Sequence, residues 1–207
     1  MNRVISATNG VDLERLIAYI ERVAEGIKQM AVIVFDLDMT VIDSSHRHVS
    51  KPDGSIDLAA WFENCHKVVD DTLLPLAAAV RRLYDGGHHI VLCTARCMQM
   101  ADWDWIAKHN EQLPHHILYS RQGRFVGKDS PEYANSFHGF IGDARSDELI
   151  KLEQVQDYIE SIGFKTFDEA NVIIFEDNLK TIAAFEAAGA LGVDANVANR
   201  SEARRVA

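Results

Sequence analysis

The sequence predicts an α/β domain built on a doubly wound parallel sheet. Three observations carry that expectation. Short runs of apolar, mostly β-branched residues recur along the 207-residue chain, as in Val32-Ile33-Val34-Phe35 and Ile90-Val91-Leu92-Cys93; such runs are strands buried on both faces. Segments with helical apolar spacing lie between them, and strands alternating with helices give βαβ units. Polar, chemistry-bearing residues follow the runs, at the carboxyl ends where open α/β sheets bind ligands.

The elements follow in order. Residues 1–30 form an N-terminal extension: after the Asn9-Gly10 turn, Val11 to Met30 carries Leu13, Leu16, Ile17, Ile20, Val23, Ala24 and Ile27 on one stripe. That is an amphipathic helix, either packed on the main domain or joining two copies in a homo-oligomer. The main domain covers 31–195. Its first strand, Ala31 to Phe35, runs into Asp36-Leu37-Asp38-Met39-Thr40. An insertion at about 44–71 holds Pro52, Gly54 and a helix-like Ile56 to Val68, with Leu58, Trp61, Phe62 and Cys65 on one face. Thr72 to Tyr84 is an amphipathic helix stopped by Gly86-Gly87. The second strand, His89 to Cys93, delivers Thr94-Ala95-Arg96; a helix covers Met98 to Asn110, and His116 to Tyr119 is the third strand. A second insertion, about 121–146, is irregular and too long for a connector, so it reads as a flap. Asp147 to Ile162 is a helix, Val172 to Phe175 the fourth strand, Asn178 to Ala188 a helix ended by Gly189, and Ala190 to Val193 the fifth strand. A polar, basic tail, frayed or a short helix, occupies 196–207.

Composition bounds the function. A net charge of −10 disfavours a broad basic face for coating duplex nucleic acid, though not a local pocket for one phosphate. No apolar run reaches membrane-spanning length and the N-terminus lacks a signal pattern, so a cytoplasmic protein is expected. Cys65, Cys93 and Cys97 form no C-x-x-C pair and read as core thiols.

Four strand ends bring polar groups to one sheet edge: Asp36, Asp38 and Thr40; Thr94 and Arg96; Arg121; and Glu176 with Asp177. Singly, Asp177 reads as a helix N-cap and Glu176 as a loop acid; together on one edge they form a site. Lys151 either pairs on the surface with Asp147 or aims at an anion over the same edge. Two carboxylates and a third acid suit Mg2+, and a lysine, the Thr40 hydroxyl and the Arg96 guanidinium suit a phosphate. Magnesium and Lys151 would let an ionised Asp36 attack a phosphate, forming an aspartyl-phosphate. Asp38 could carry the proton, its pKa raised by neighbouring carboxylates.

These residues resemble the haloacid dehalogenase-like phosphohydrolases. Four motifs match in order: FDLDMT (Asp36, Asp38, Thr40), LCTAR (Thr94), Lys151 on its helix, and IIFED (Glu176, Asp177). The resemblance implies a Rossmannoid fold with small cap insertions and Asp36 as nucleophile. It implies Asp38 as general acid/base and Thr94 and Lys151 as phosphate ligands. It also implies Mg2+ held by Asp36, the Asp38 backbone carbonyl and a fourth-motif acid, Asp177 ahead of Glu176. An acid two residues after the nucleophile points to phosphate chemistry and away from dehalogenation.

A finer similarity is to the phosphatase half of bacteriophage polynucleotide kinase-phosphatases and to related small phage and bacterial nucleotide phosphatases, through Ser45-His46-Arg47, Trp61-Phe62, Thr94-Ala95-Arg96 and Tyr119-Ser120-Arg121. It implies a nucleotide or a polynucleotide 3′-phosphate as substrate, with His46, Arg47 and Arg121 as contacts. Met39 and Ala95 replace glycines of the pattern, and Glu176 replaces an aspartate. A sugar or metabolite phosphatase, and a non-catalytic phosphate-binding regulator, therefore stand as alternatives. Gly123 to Asp129 is not a P-loop, since it lacks a spacer and the final Ser/Thr. The His88-His89 and His115-His116 pairs flank strands and read as structural or exposed. Trp61 and Phe62 read as the apolar face of a helix, with base stacking as the alternative.

Overall fold

Val32–Phe35 becomes the central strand because both of its faces find apolar partners. Ile33 and Phe35 join Ile90, Leu92 and Phe175 in one buried cluster, while Val32 and Val34 join Val91, Cys93 and Ile174 in another. The structure, a computed structural model, describes residues 18, 30–52, 57–126, 129–136 and 139–206. The N-terminal helix expected over Val11 to Met30, and any oligomer contact through it, therefore falls almost wholly outside the described residues.

In chain order the elements are β1 (Val32–Phe35), β2 (Ile42–Asp43), α1 (Leu58–Glu63), β3 (Thr72–Leu73), α2 (Ala77–Asp85), β4 (His89–Thr94), α3 (Met100–Lys108) and β5 (Ile117–Ser120). They continue with β6 (Gly123–Phe125), β7 (Phe140–Gly142), α4 (Asp147–Ser161), β8 (Ile173–Glu176), α5 (Leu179–Ala187), β9 (Leu191–Asp194) and α6 (Ala195–Val206). Tight 3-10 turns occupy Ser45–Arg47, Cys65–Asp70 and Tyr133–Asn135.

The main sheet has five parallel strands in the order β5-β4-β1-β8-β9. Residues of α2, α3 and α6 pack in the cluster that holds Ile33 and Phe35, and residues of α4 and α5 in the other. This is the doubly wound arrangement read from the sequence. Strand order reverses at β1, which pairs with β4 on one side and β8 on the other. Phe35 is level with both Leu92 and Phe175, and the rings of Phe35 and Phe175 stack at 4.7 Å. A topological switch point opens a crevice beyond the strand ends, and here it lies directly above Asp36.

Both insertions form small cap elements. The first is bracketed by the antiparallel β2–β3 pair and holds the Ser45–Arg47 turn, α1 and the Cys65–Asp70 turn. It splits the helix read over Thr72 to Tyr84, because Thr72 and Leu73 pair with Asp43 and Ile42 before α2 begins. The second insertion is the antiparallel β6–β7 hairpin, with Gly123 opposite Gly142.

Of the two readings of the tail from residue 196, frayed or a short helix, the structure shows the helix. It is α6, whose Ala195 and Ala198 lie in the core, so the domain runs past 195. The Asn199 side chain donates to Thr40 O (2.9 Å) and accepts from Leu76 N (3.0 Å). Ala195 and Ala198, a turn apart, and the Asn199 hydrogen bonds seat the start of this helix on the domain. The three cysteines are free and buried, as expected. Among the described residues no helix is long and apolar enough to cross a membrane.

Candidate active site

The strand ends converge as the sequence predicts. Asp36 leaves β1 with its amide donating to Phe175 O (3.0 Å), which seats it beside the end of β8. Asp38 follows in a tight turn closed by Thr40 N and Val41 N donating to Leu37 O (3.3 and 3.0 Å). Met39 occupies this turn with φ +61°, the left-handed region that glycine enters without strain. The glycine expected by the motif thus has a physical reason, and Met39 adopts the same backbone. A pocket of about 550 Å3 opens above, lined by Asp36, Asp38, Thr94, Lys151, Glu176 and Asp177 among others.

Lys151 resolves its two readings. Its side chain, one turn into α4, is buried, and Nζ donates to Asp36 Oδ1 and Glu176 Oε2, each at 2.6 Å. The surface pairing with Asp147 is overturned, since Asp147 pairs with Arg121 instead. Burial alone would lower the Lys151 pKa, but Asp36 and Glu176 outweigh it and raise it, so the ammonium stays charged.

One cation faces three acids. Ligand oxygens of Asp36, Glu176 and Asp177 lie within 4.8 Å of one another. Burial raises the pKa of Asp36, and the Glu176 charge adds to it against Lys151. Burial likewise raises Glu176 and Asp177, and the Asp36 charge adds to the rise of Asp177. Fully ionised, the cluster would carry more negative charge than Lys151 balances, so its acids hold protons until a divalent cation takes their place, and hard carboxylate oxygens suit such a cation. Glu176 spends Oε2 on Lys151 and Oε1 on the amide of Asn178 (3.2 Å), whereas Asp177 is only partly buried. Asp38 sends its carboxylate elsewhere and is not in this cluster.

The Asp38 side chain lies between two arginines. Arg47 Nη2 donates to Oδ1 (3.2 Å), Arg96 Nε pairs with Oδ2 (3.1 Å), and Thr94 Oγ1 donates to Oδ2 at 3.4 Å. The expectation of a raised pKa reverses. Burial pushes Asp38 up, but Arg96 and Arg47 outweigh it and hold the carboxyl below its ordinary value.

The arginines themselves are held by acids the sequence reading missed. Arg47 Nη2 also donates to Asp71 Oδ2 (2.6 Å), and Asp102 pairs with Arg96 and lies 3.7 Å from Arg47 Nη1. Asp102 doubles as the third residue of a capping box, its Oδ2 accepting from Gln99 N (2.7 Å). Two arginines headed for a buried edge demand such counter-ions, and that was the available signal.

Three expected contacts are placed differently. Arg47 is wholly buried and lies off the pocket lining, touching Asp38 rather than open space. His46 points outward, its Nε2 3.1 Å from Lys67 O, because three residues per turn in Ser45–Arg47 send neighbours to different sides. Thr40 is fully buried and off the lining, since the tight turn folds it into the domain. Arg121 reaches the pocket but is spent on structure. Its Nε donates to Ala95 O (2.7 Å), Nη1 to Asp143 O (2.6 Å) and Arg145 O (2.8 Å), and Nη2 pairs with Asp147. The histidine pairs are structural as read: His89 Nδ1 is 2.6 Å from Tyr158 Oη, and its ring stacks on His116.

Comparison with known proteins agrees with this geometry. Three solved structures share the fold. A chain of a Pnkp1/Rnl/Hen1 complex matches at TM-score 0.52 and 17% identity, covering 82% of this chain and 46% of that one. A chain of the Pnkp1/Rnl/Hen1 RNA repair complex matches at 0.50 and 18%, covering 81% and 42%. This chain thus spans less than half the length of either. A haloacid dehalogenase-like family hydrolase from Streptococcus pneumoniae matches at 0.50 and 14%, covering 80% and 84%. No curated protein matches the sequence. A family model described as Bacteriophage T5 5'-deoxynucleotidase matches residues 23–203, which takes in both insertions and every strand end above. The chain belongs to the bacteriophage T5 5'-deoxynucleotidase family, and its fold is that of haloacid dehalogenase-like proteins.

Proposed function

We propose that the protein is a magnesium-dependent phosphomonoesterase that forms an aspartyl-phosphate on Asp36 and acts on deoxynucleoside 5′-monophosphates. The observation that carries this reading is the carboxylate cluster in which the buried Lys151 holds Asp36 Oδ1 and Glu176 Oε2 while the half-buried Asp177 stands beside them. Asp36, Asp177 and Glu176 would hold Mg2+, which when bound offsets the charge of both the carboxylates and the phosphate. The substrate class is that named by the family's description; the pocket lies beneath two cap insertions, as a small ester requires. Family membership favours an enzyme over the regulatory alternative, and both that alternative and the sugar-phosphate one are arms of the test.

In this mechanism the Asp36 carboxylate attacks phosphorus while the bond to the sugar oxygen breaks. Asp38, which takes up a proton from solvent as the incoming phosphate raises its pKa, gives that proton to the leaving oxygen. In the second half Asp38 takes a proton from water, which attacks phosphorus and frees Asp36. The two arginines keep Asp38 ionised before substrate enters. A phosphate dianion arriving beside Thr94 and Arg96 sets negative charge against Asp38 and moves its pKa upward. The arginine pair thus tunes the acid to the loaded site.

Phosphate release is the test, with deoxynucleoside 5′-monophosphates, sugar phosphates and 3′-phosphorylated oligonucleotides compared with Mg2+ and with EDTA. We expect the first class to be turned over best and EDTA to abolish turnover. Preference for the oligonucleotide end or the sugar phosphate would refute the substrate assignment, and activity undiminished by EDTA would refute the metal.

A second expectation concerns stability. Asp36, Glu176 and Asp177 all have folded pKa values above their ordinary ones. Their contribution is therefore most favourable at low pH and is lost as pH rises through and above the usual carboxylate range. A cation takes the place of those protons. The rise in Tm on adding Mg2+ should grow from about pH 5 to about pH 8. A pH-independent increment in thermal melts would place the ion elsewhere.

A further inference from the structure

The pocket has two kinds of wall. One is the charged floor of Asp36, Lys151, Glu176 and Asp177; the other includes Met39, Trp61, Ala95, Cys97 and Phe140. A phosphate fills only a fraction of about 550 Å3, a volume in the range of sites for whole small molecules (roughly 300–1,000 Å3). The remaining space belongs to the leaving group, and aromatic rings flank it.

Each insertion supplies one ring. Trp61, on α1, is half-buried and fixed: Arg47 Cζ lies 4.8 Å from the ring centroid, and the His48 ring meets it edge-on at 4.7 Å. Arg47 is in turn bound to Asp38 and Asp71, so the indole is held at a set position relative to the proton carrier. Phe140, on β7, is half-buried too. Its ring lies across the paired Gly123 and Gly142, where an added Cβ would come within 2.5 and 2.8 Å of Phe140 Cζ. Glycine at both positions leaves that ring its place at the pocket.

We propose that Trp61 and Phe140 form the nucleobase-binding wall of the site, recognising a flat heteroaromatic leaving group by stacking. The proposal rests on the nucleotidase reading above and assigns the residues that make a nucleotide preferable to a bare sugar phosphate. Base-on-aromatic stacking tolerates every base, since each has a π-face. The wall would accordingly select nucleotides as a class and discriminate weakly among bases.

The test is the ratio of kcat/KM for a deoxynucleoside 5′-monophosphate to that for 2-deoxyribose 5-phosphate. A loss that is merely structural affects both substrates and cancels. In wild type the ratio should be well above one. It should fall roughly 5- to 100-fold in Trp61→Ala and in Phe140→Ala, with Trp61→Phe recovering most of it. Wild type alone gives an independent measurement should a variant not fold: a deoxynucleoside lacking phosphate should inhibit competitively, and deoxyribose should not. A wild-type ratio near one, or ratios unmoved in both alanine variants, overturns the wall and leaves the nucleotidase standing. Deoxynucleotides refused while sugar phosphates turn over overturns the nucleotidase reading, and the wall with it.

Discussion

Asp36→Asn is expected to lose phosphatase turnover by about 10^4-fold or more, the scale seen when a covalent nucleophile is removed. The amide cannot attack phosphorus, and nothing else at the end of β1 can take over. Asp38 is engaged by Arg47 and Arg96, and Glu176 by Lys151. The variant should nevertheless fold. Asparagine is nearly isosteric, can accept the Lys151 hydrogen bond, and removes one of three crowded negative charges. A protein of unchanged or higher Tm without metal, and with no detectable turnover, is the expected pair of results. Turnover within tenfold of wild type would show that water attacks directly and that no aspartyl-phosphate forms.

Lys151→Met is the second large effect, and it acts on both stability and rate. Removing the ammonium leaves Asp36 and Glu176 buried and facing each other without a counter-charge. Breaking a buried pair in this way costs about 3–5 kcal/mol. Turnover should drop by about 10^2- to 10^3-fold, the scale for losing a charged group that stabilises the transition state. Mg2+ should restore part of the stability, because a divalent cation supplies charge at the same acids. Arginine should substitute poorly, since its wider planar head does not fit where Lys151 is 3% exposed. Denaturant unfolding with and without Mg2+ measures this. A stability loss under about 1 kcal/mol, the range of an exposed pair, would return Lys151 to the status of a surface residue.

The legibility of this chain follows the range of its interactions. The strands were readable because β1, β4 and β8 are buried on both faces, so their apolar runs are unbroken. The charged floor was readable because a parallel sheet places the residues after those strands on one edge. The partners of Arg47 and Arg96 were not. Asp71 and Asp102 lie 24 and 6 residues from the arginines they hold, in segments whose pattern reports only amphipathicity. The pKa of Asp38 was misjudged for the same reason: sequence adjacency shows Asp36 nearby, while the arginines that decide the sign arrive through tertiary packing. At the end of the domain the frayed and helical readings stayed open because Ala195 and Ala198 contribute too little apolar surface to stand out from a polar stretch.

Asn199 bears on how the protein reaches its working state. Its side chain bridges Leu76 N and the carbonyl of Thr40, a residue 159 positions earlier. The Lys151–Asp36 bond spans 115 positions. Contacts of such separation carry a large loop-closure cost and are made after local structure has condensed. The turn bearing Asp38 therefore gains its final geometry only when nearly the whole domain has assembled. Partly folded chains hold sheet and helices before they hold a competent site, so catalytic activity should be among the last properties to return on refolding.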